Sequence, residues 1–284
     1  MKKALFLYST SNSRNSFKKQ SLLIIDNLKK KHENLVSIDV NSEKMFIQEL
    51  KKADNYDVLY FTGGDGTFNV VINILAQFTK KPILGYIPTG TMNDCAKNFG
   101  LSKKIKKTLK VLELGKTISF DIGCVNSGEH YFAYFSANGC YSSISYKAKT
   151  NIKRRFGKLS YYFLALKEAF KIRKYNYEVE VDGVTYKGQT PFLMLLNSNY
   201  AGGFKISNKS KVNDGLFHLY VSKVGLFNGL ISYFFTSKRK IQHVGSKFRL
   251  SIDSHSSWCF DGESIVEGDI NIEILQNNFT IIAN

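Results

Sequence analysis

The chain has 284 residues, of which 43% are hydrophobic and 22% charged, and a formal net charge of +17. This composition excludes a disordered or low-complexity chain, and the length allows one or two domains with sizeable cores. No segment reaches the roughly 18 apolar residues of a membrane span, which predicts a cytoplasmic protein. The charge favours an anionic partner: a nucleotide, a nucleic acid or an acidic membrane surface.

Strands and helices alternate in the first part of the chain, which predicts a parallel α/β sheet. Its short apolar runs read as strands, and the runs with helical spacing read as amphipathic helices. The predicted strands cover residues 4–8, 35–40, 58–61 and 82–88, and the predicted helices cover residues 17–31, 45–52 and a segment after Thr67. Ligands of such sheets lie beyond the carboxyl ends of the strands.

The pattern changes near Asp121, where short strands separated by turns predict a mostly antiparallel β-sandwich. One helix is expected within it, at residues 158–174, and Asp182-Gly183 has the sequence of a hairpin turn. The predicted domains are therefore residues 1–121 and 122–284. The expected strands of the second domain are residues 131–136, 177–181, 184–187, 192–197, 217–221, 248–252, 258–260 and 270–275.

A glycine-rich turn, Gly63-Gly64-Asp65-Gly66-Thr67, stands between the predicted strand at residues 58–61 and the following helix. Glycines allow a close approach of the backbone to a ligand and a left-handed φ, and a helix N-terminus favours anions. The Asp65 carboxylate would repel a phosphate, and a Mg²⁺ ion bound to both groups would offset this repulsion. A plain turn with Asp65 or Thr67 as a helix cap explains this stretch equally well.

A second loop, from Thr89 through Gly90, Thr91 and Asn93 to Asp94, repeats this layout after the next strand. Asn93 or Asp94 could simply cap the next helix. Two such loops at one sheet edge nevertheless favour a phosphate site over two unrelated turns. Neither loop matches a Walker A sequence or the dinucleotide fingerprint, so a nucleotide would be held differently.

Clusters of lysine and arginine flank aromatic runs in the second half, near residues 147–158, 167–174 and 238–240. Most of the aromatic residues are expected to fill the sandwich core, and part of the basic rim is expected to contact an anionic membrane. Two further Asp-Gly pairs, Asp214-Gly215 and Asp261-Gly262, read as hairpin turns from pattern alone. Glu263 could be a general base, but spacing does not show it.

Taken together, these motifs resemble the diacylglycerol kinase catalytic-domain family, most closely its short bacterial lipid kinases and more remotely sphingosine kinases and NAD kinases. The match runs essentially from end to end, and five motifs occur in the family's order. They are Gly63-Gly64-Asp65-Gly66-Thr67, residues 87–94, Asp121-Ile122-Gly123, Asn213-Asp214-Gly215-Leu216 and Asp261-Gly262-Glu263.

The resemblance implies ATP-dependent phosphorylation of a lipid hydroxyl in a cleft between a nucleotide-binding domain and a lipid-substrate domain. Glu263 matches the family's proton acceptor, and Asp65 and Asp94 would help hold catalytic Mg²⁺. Asp214 and the carbonyl of Leu216 match a structural Mg²⁺ site, and Asp121 a supporting position. The implied nucleotide-binding residues are Gly63, Gly64, Asp65, Gly66, Thr67, Asn69, Gly90, Thr91 and Asn93.

Three departures from the family pattern stand out. Residues 9–13 lack the proline and glycine usual in the first loop, and Val70 replaces a common glutamate. Lys211 stands where bacterial members offer an oxygen ligand to the structural metal. A lysine cannot coordinate Mg²⁺, although its ammonium could replace the charge of the ion.

The expected function is therefore that of a lipid kinase acting at the inner face of the membrane, with diacylglycerol or a related lipid as acceptor. An NAD kinase-like enzyme with a soluble acceptor and a degenerate protein that only binds nucleotide or lipid remain alternatives. Nucleic-acid binding rests on charge alone and is not expected. A homodimer is a further expectation.

Overall fold

The computed structural model describes residues 2–10, 15–139, 174–201, 203–206, 209–222, 240–254, 257–262 and 264–284. The chain divides into two compact units, Met1–Phe120 with Asn277–Asn284 and Asp121–Gln276. Residues 277–284 thus group with the first unit, and the domain boundary at residues 121 and 122 stays a prediction. Among the described residues, no helix combines the length and apolar character needed to cross a bilayer.

Residues 4–125 form mostly alternating strands and helices. They are β1 (Ala4–Tyr8), α1 (Asn15–Lys31), β2 (Leu35–Asp39), α2 (Glu43–Leu50), a 3₁₀ turn (Ala53–Asn55), β3 (Val58–Gly63), α3 (Asp65–Leu75), β4 (Ile83–Pro88), α4 (Asp94–Asn98), α5 (Ile105–Leu114) and β5 (Thr117–Val125).

The remaining described elements are all strands. They are β6 (His130–Phe132), β7 (Phe135–Gly139), β8 (Tyr175–Val181), β9 (Val184–Thr190), β10 (Phe192–Leu196), β11 (Tyr200–Ala201), β12 (Phe204–Lys205), β13 (Phe217–Ser222), β14 (Lys240–Gly245), β15 (Lys247–Ile252), β16 (Trp258–Phe260), β17 (Ser264–Val266) and β18 (Ile270–Ile282).

The first unit is built on a parallel sheet with the strand order β2-β1-β3-β4. The end of β18 extends this order, because Ile281 pairs in parallel with Leu84 of β4. Since β3 and β4 are neighbours, the turns that follow them lie at the same sheet edge. The α/β sheet that the sequence predicts is confirmed.

Helices cover the two faces of this sheet because strand side chains alternate between the faces. Helices α1 and α5 contact each other and cover the face that carries Phe6 and Tyr60. On the opposite face, Phe68 of α3 packs against Phe61 and Tyr86. Helix α2 contacts α3 and therefore belongs to this second layer.

The second unit is the predicted antiparallel sandwich. One sheet has the order β14-β13-β10-β7-β16-β17, and a second contains β9, β8, β15 and the first half of β18, with β5 and β6 beside it. Buried side chains from both sheets form one core, which includes Leu195, Phe248 and Trp258. Asp182 and Gly183 both have a left-handed φ and join β8 to β9, so the predicted hairpin is confirmed.

Several elements differ from the sequence prediction. The single strand expected at residues 131–136 is wrong, because the chain forms β6 and β7 with a bend at residues 133–134. Strand β18 continues to Ile282 and not only to residue 275. The 3₁₀ turn, α5, β5, β11, β12, β14 and β17 were not predicted. The helix predicted at residues 158–174 lies outside the described residues except for Lys174.

Candidate active site

The turn between β3 and α3 forms the first wall of the candidate site. Gly63 ends β3, Gly64 occupies the N-cap position and Asp65 begins α3. Gly64 has φ −103°, so the expected left-handed glycine backbone is wrong here. Glycine is favoured for another reason, since a β-carbon on Gly64 would lie only 3.1 Å from the Cα of Gly90, and one on Gly90 would collide with the Cα of Gly64. The two glycine loops therefore touch through their backbones.

The loop after β4 is fastened to this turn by backbone hydrogen bonds. The N–H groups of Thr89 and Gly90 both donate to the carbonyl of Gly63, at 2.7 and 3.2 Å. Asn93 adopts a left-handed φ of 51°, and its Nδ2 donates to the Gly90 carbonyl at 2.9 Å. The structure thus brings Gly63, Gly64, Gly90 and Asn93 together at the carboxyl edge of the sheet.

Asp65 connects the two loops through its side chain. Its Oδ1 accepts the backbone N–H of Cys95 at 3.0 Å, and the Asn93 side chain makes no cap bond to α4. The Asp65 carboxylate therefore serves as the cap of a helix that begins 29 positions later. The plain-turn alternative, with Asp65 or Thr67 as the cap of α3, is wrong, because Gly64 occupies that position without a side-chain cap bond.

Burial and the nearby charge of Asp94 raise the pKa of Asp65 to about 6, although backbone N–H groups of residues 93–95 oppose the shift. Asp94 is only 2% exposed, and the Lys97 ammonium lies 2.5 Å from its Oδ1. Two carboxylates are thus held close together with one adjacent cation. Their repulsion favours an additional positive charge at this position.

The donor set fits a Mg²⁺ ion that arrives with nucleotide phosphates, since such ions use one or two protein carboxylates. A second observation points to a missing partner. Asn93 is 5% exposed, and its Oδ1 has no hydrogen-bond partner among the described residues. A buried amide oxygen without a donor is costly. A ligand that carries a donor or a metal would satisfy it.

The other predicted nucleotide-binding residues lie on the same two elements. Gly66, Thr67 and Asn69 belong to the first turns of α3, and Thr91 is exposed in the second loop. Asn69 is buried, and both its carbonyl and its Oδ1 accept bonds from Asn73 Nδ2. Their contacts with a nucleotide stay predictions.

Asp121 holds a turn in the second unit. Its Oδ2 accepts the N–H of Gly215 at 2.7 Å, and its own N–H donates to the Val212 carbonyl. Asn197 Nδ2 donates to the Asp121 carbonyl at 2.9 Å. Asp121 is fully buried and so fixes the start of the Asp214 turn. Its role as a supporting position for the active site stays a prediction.

The predicted structural Mg²⁺ site stays a prediction. Asp214 is exposed, and its Oδ1 accepts the N–H of Leu216 at 3.1 Å. One carboxylate and one carbonyl are fewer ligands than a site built from protein alone requires. Among the described residues, no group of three or more His, Cys, Asp or Glu side chains could hold a metal ion.

Asp261 has a role that sequence reasoning missed, because its Asp-Gly pair was read as an ordinary hairpin. Its carboxylate is 2% exposed and accepts three backbone N–H groups, from Ala133, Tyr134 and Phe135, at 2.8–3.0 Å. These bonds produce the bend between β6 and β7. Glu263 lies two residues further on, outside the described residues, so its convergence with Asp65 and Asp94 stays a prediction.

Comparison with known proteins identifies the class to which this fold and site belong. A family model described as the diacylglycerol kinase catalytic domain matches residues 3–125. A second model, the YegS C-terminal NAD kinase beta sandwich-like domain, matches residues 137–283. These matches define a two-domain lipid-kinase architecture.

Curated relatives agree with this class. A diacylglycerol kinase of Bacillus subtilis (strain 168) is 30% identical over 227 residues, which cover 78% of this chain and 74% of the relative. A diacylglycerol kinase of Staphylococcus carnosus is 28% identical over 223 residues, covering 78% and 72%. The chain belongs to the diacylglycerol kinase family, a family of phosphotransferases with an alcohol group as acceptor.

Solved structures support the fold. A Bacillus anthracis str. Sterne chain provisionally described as a diacylglycerol kinase aligns with a TM-score of 0.87 and 22% identity, over 100% of this chain and 98% of the other. A second diacylglycerol kinase structure from that organism has a TM-score of 0.81 and 19% identity, over 100% and 97%. The predicted fold class is confirmed.

Proposed function

We propose that this chain transfers the γ-phosphate of ATP to the hydroxyl of a membrane lipid, with diacylglycerol as the first candidate acceptor. The observation that carries the proposal is the fastening of two glycine loops by Asp65. These loops place N–H groups, two carboxylates and an unpaired amide oxygen at one sheet edge. Phosphoryl transfer needs this kind of positioning and charge neutralisation more than covalent chemistry.

Bound Mg²⁺ would supply charge neutralisation of the phosphates, and Asp65 and Asp94 are the residues to hold it. Gly64 and Gly90 carry no β-carbon where the two loops meet, so their backbones could approach phosphates closely. Glu263 is proposed to accept the proton of the acceptor hydroxyl. Asp121 and Asp261 position turns in the second unit and do not take part in the chemistry themselves.

The acceptor lipid resides in a bilayer, so we place the working enzyme at the inner face of the cell membrane. The two bacterial relatives described above are named diacylglycerol kinases, which supports this acceptor. Homodimer formation stays an expectation, and light scattering of the purified chain would measure it.

The test is transfer of labelled phosphate from ATP in the presence of Mg²⁺. Detergent micelles would carry diacylglycerol, a phospholipid or a sphingoid base, and parallel reactions would contain NAD. We expect a labelled lipid and no labelled NADP. Asp65→Ala and Glu263→Gln should each lower kcat by at least about 100-fold.

Asp269→Asn is the matched control, because Asp269 is an exposed carboxylate in the same half of the chain. It should retain full activity. NADP as the main product would establish the soluble-acceptor alternative. Binding of ATP without any labelled product would establish a degenerate kinase.

A further inference from the structure

The outer face of helices α1 and α5 in the first unit is strongly basic. Three acidic side chains, Asp26, Glu33 and Glu113, are interspersed among the exposed lysines of its described residues. Apart from Lys31, four exposed lysines belong to α1 and six lie on or beside α5, namely Lys18, Lys19, Lys29 and Lys30, and Lys103, Lys104, Lys106, Lys107, Lys110 and Lys116. We call this surface the α1/α5 face.

The charge excess is not a general property of the first unit. The layer on the other side of the sheet, formed by α2 and the following 3₁₀ turn, has equal numbers of basic and acidic side chains. They are Lys44, Lys51 and Lys52 against Glu43, Glu49 and Asp54. Opposite faces of one sheet therefore differ in charge, which indicates an anionic partner that contacts the α1/α5 face alone.

The two helices form one continuous surface. Their apolar sides share a core, in which Ile24 and Leu28 of α1 join Leu109 and Leu112 of α5. At their carboxyl ends, the Lys31 ammonium donates to the Leu112 carbonyl at 2.5 Å. Lys31 thus satisfies a terminal carbonyl of α5 and holds the helices side by side.

Large apolar side chains stand among the lysines. Leu22 is 59% exposed, Leu23 is 44% exposed and Leu114 is 67% exposed. Lys18 lies four residues before Leu22 and Lys110 four residues before Leu114, so each pair shares one side of its helix. Exposed leucines surrounded by long basic side chains are typical of surfaces that lie on a bilayer.

We infer that the α1/α5 face docks on an anionic phospholipid bilayer, with its lysines at the headgroups and Leu22, Leu23 and Leu114 in the upper acyl region. Apart from Lys174 and Lys240, the basic clusters that suggested a membrane rim from sequence lie outside the described residues, and none of them belongs to the α1/α5 face. The inference rests on the proposed function in one respect, which is that a lipid acceptor brings the enzyme to a membrane.

Charge and composition favour a bilayer over other occupants. All the cations that the structure describes on the α1/α5 face are lysines, whereas arginine and stacked aromatics typify nucleic-acid surfaces. A symmetric dimer through this face would set ten lysines against the same ten lysines. A bilayer rich in anionic lipid instead neutralises the lysines and accepts the leucines.

The test is flotation of the full-length chain with vesicles, without ATP or acceptor. Vesicles of phosphatidylcholine alone are compared with vesicles containing about 30% phosphatidylglycerol, and we expect salt-sensitive binding only to the latter.

Lys106→Ala/Lys107→Ala/Lys110→Ala should weaken the partition constant by roughly 100-fold, from the contribution of each lysine at an anionic surface. The matched control is Lys44→Ala/Lys51→Ala/Lys52→Ala, which removes the same charge from the α2 layer and should change binding less than threefold. Equal losses in the two triple variants would overturn the inference.

Insertion of the leucines is tested separately. Trp258, the single tryptophan, is fully buried, so Leu114→Trp adds a solvent-exposed fluorophore. Its emission should shift to the blue with anionic vesicles, whereas Val184→Trp, at an exposed position in the second unit, should not respond. Equal binding to duplex DNA, or a lysine-dependent dimer without a vesicle shift, would overturn the inference.

Failure of the docking surface and failure of the proposed function have different signatures. Kinase activity in detergent micelles does not require a bilayer, so the α5 triple variant should retain it. Vesicle binding by a chain that phosphorylates no lipid would refute the proposed function alone. Lipid phosphorylation by a chain that ignores anionic vesicles would refute the docking surface alone.

Discussion

The Asp65 carboxylate accepts the backbone N–H of Cys95, so the first residue of α3 caps the start of α4. One side chain therefore fixes the distance between two glycine loops that are separate in sequence. The same carboxylate has a pKa of about 6 and so costs stability when it is ionised at neutral pH.

Asp65→Asn is expected to stabilise the protein at pH 7 while abolishing activity. The folded-state pKa is above the unfolded value of 3.8, so the wild type loses stability as pH rises from about 4 to 6. An amide can still accept the Cys95 N–H, and the gain at pH 7 is at most about 3 kcal/mol. Urea denaturation at pH 4, 5, 6 and 7 measures it. A variant with the same slope as the wild type would contradict the assigned pKa.

Gly90→Ala should disrupt the contact between the loops. The new β-carbon would collide with the Cα of Gly64 and lie 2.7 Å from Asn93 Oδ1. Overpacking of this kind costs about 1–3 kcal/mol and would move the loops apart. We expect ATP affinity, measured by calorimetry, to fall by at least about tenfold. Thr89→Ala, at the exposed neighbouring position, is the control and should bind ATP normally.

Asp261→Ala should destabilise the second unit, because three buried N–H groups of residues 133–135 lose their acceptor. Bonds to a buried carboxylate contribute about 1.5–3 kcal/mol each, so a total loss of at least about 3 kcal/mol is expected. Thermal unfolding checks this against the exposed control Asp269→Ala. Activity measured well below the lowered melting temperature tells whether Asp261 also positions the turn that precedes Glu263. An unchanged melting temperature would exclude the anchoring role.

His130→Phe should reduce acid sensitivity. Burial lowers the pKa of His130 to about 4, and its ring packs against Phe260. Because the unfolded value is 6.5, the wild type loses stability as pH falls from about 6.5 to 4. Phenylalanine keeps the ring contact without a proton to bind. Denaturation midpoints at pH 7 and pH 5 should differ less in the variant than in the wild type.

The sequence predicted the fold well where local patterns decide it. Strand β1 was expected at residues 4–8 and found as Ala4–Tyr8, because five apolar residues between polar flanks leave little choice. Helix α5 was missed, since its many lysines reduce the apparent apolar stripe to a few positions. The split between β6 and β7 depends on a carboxylate about 130 residues away, which no local pattern reveals.

The sequence predicted that the two glycine loops lie together, but it did not predict the hydrogen bonds that join them. Chain order placed both glycine loops at one sheet edge, and β3 and β4 are indeed neighbours. The capping of α4 by Asp65 was not foreseeable, because caps are normally supplied by the adjacent residue, here Asn93. The role of Asp261 as acceptor of three N–H groups was missed because many Asp-Gly pairs are ordinary turns.

The last strand of the chain has a consequence for synthesis. Ile281 completes the parallel sheet beside Leu84, and the Phe279 ring stacks on Phe120. The first unit therefore lacks a strand and part of its core until residues 277–284 have left the ribosome. Although domains made first usually fold first during translation, the amino-terminal unit here should finish late and need protection while the sandwich is being made.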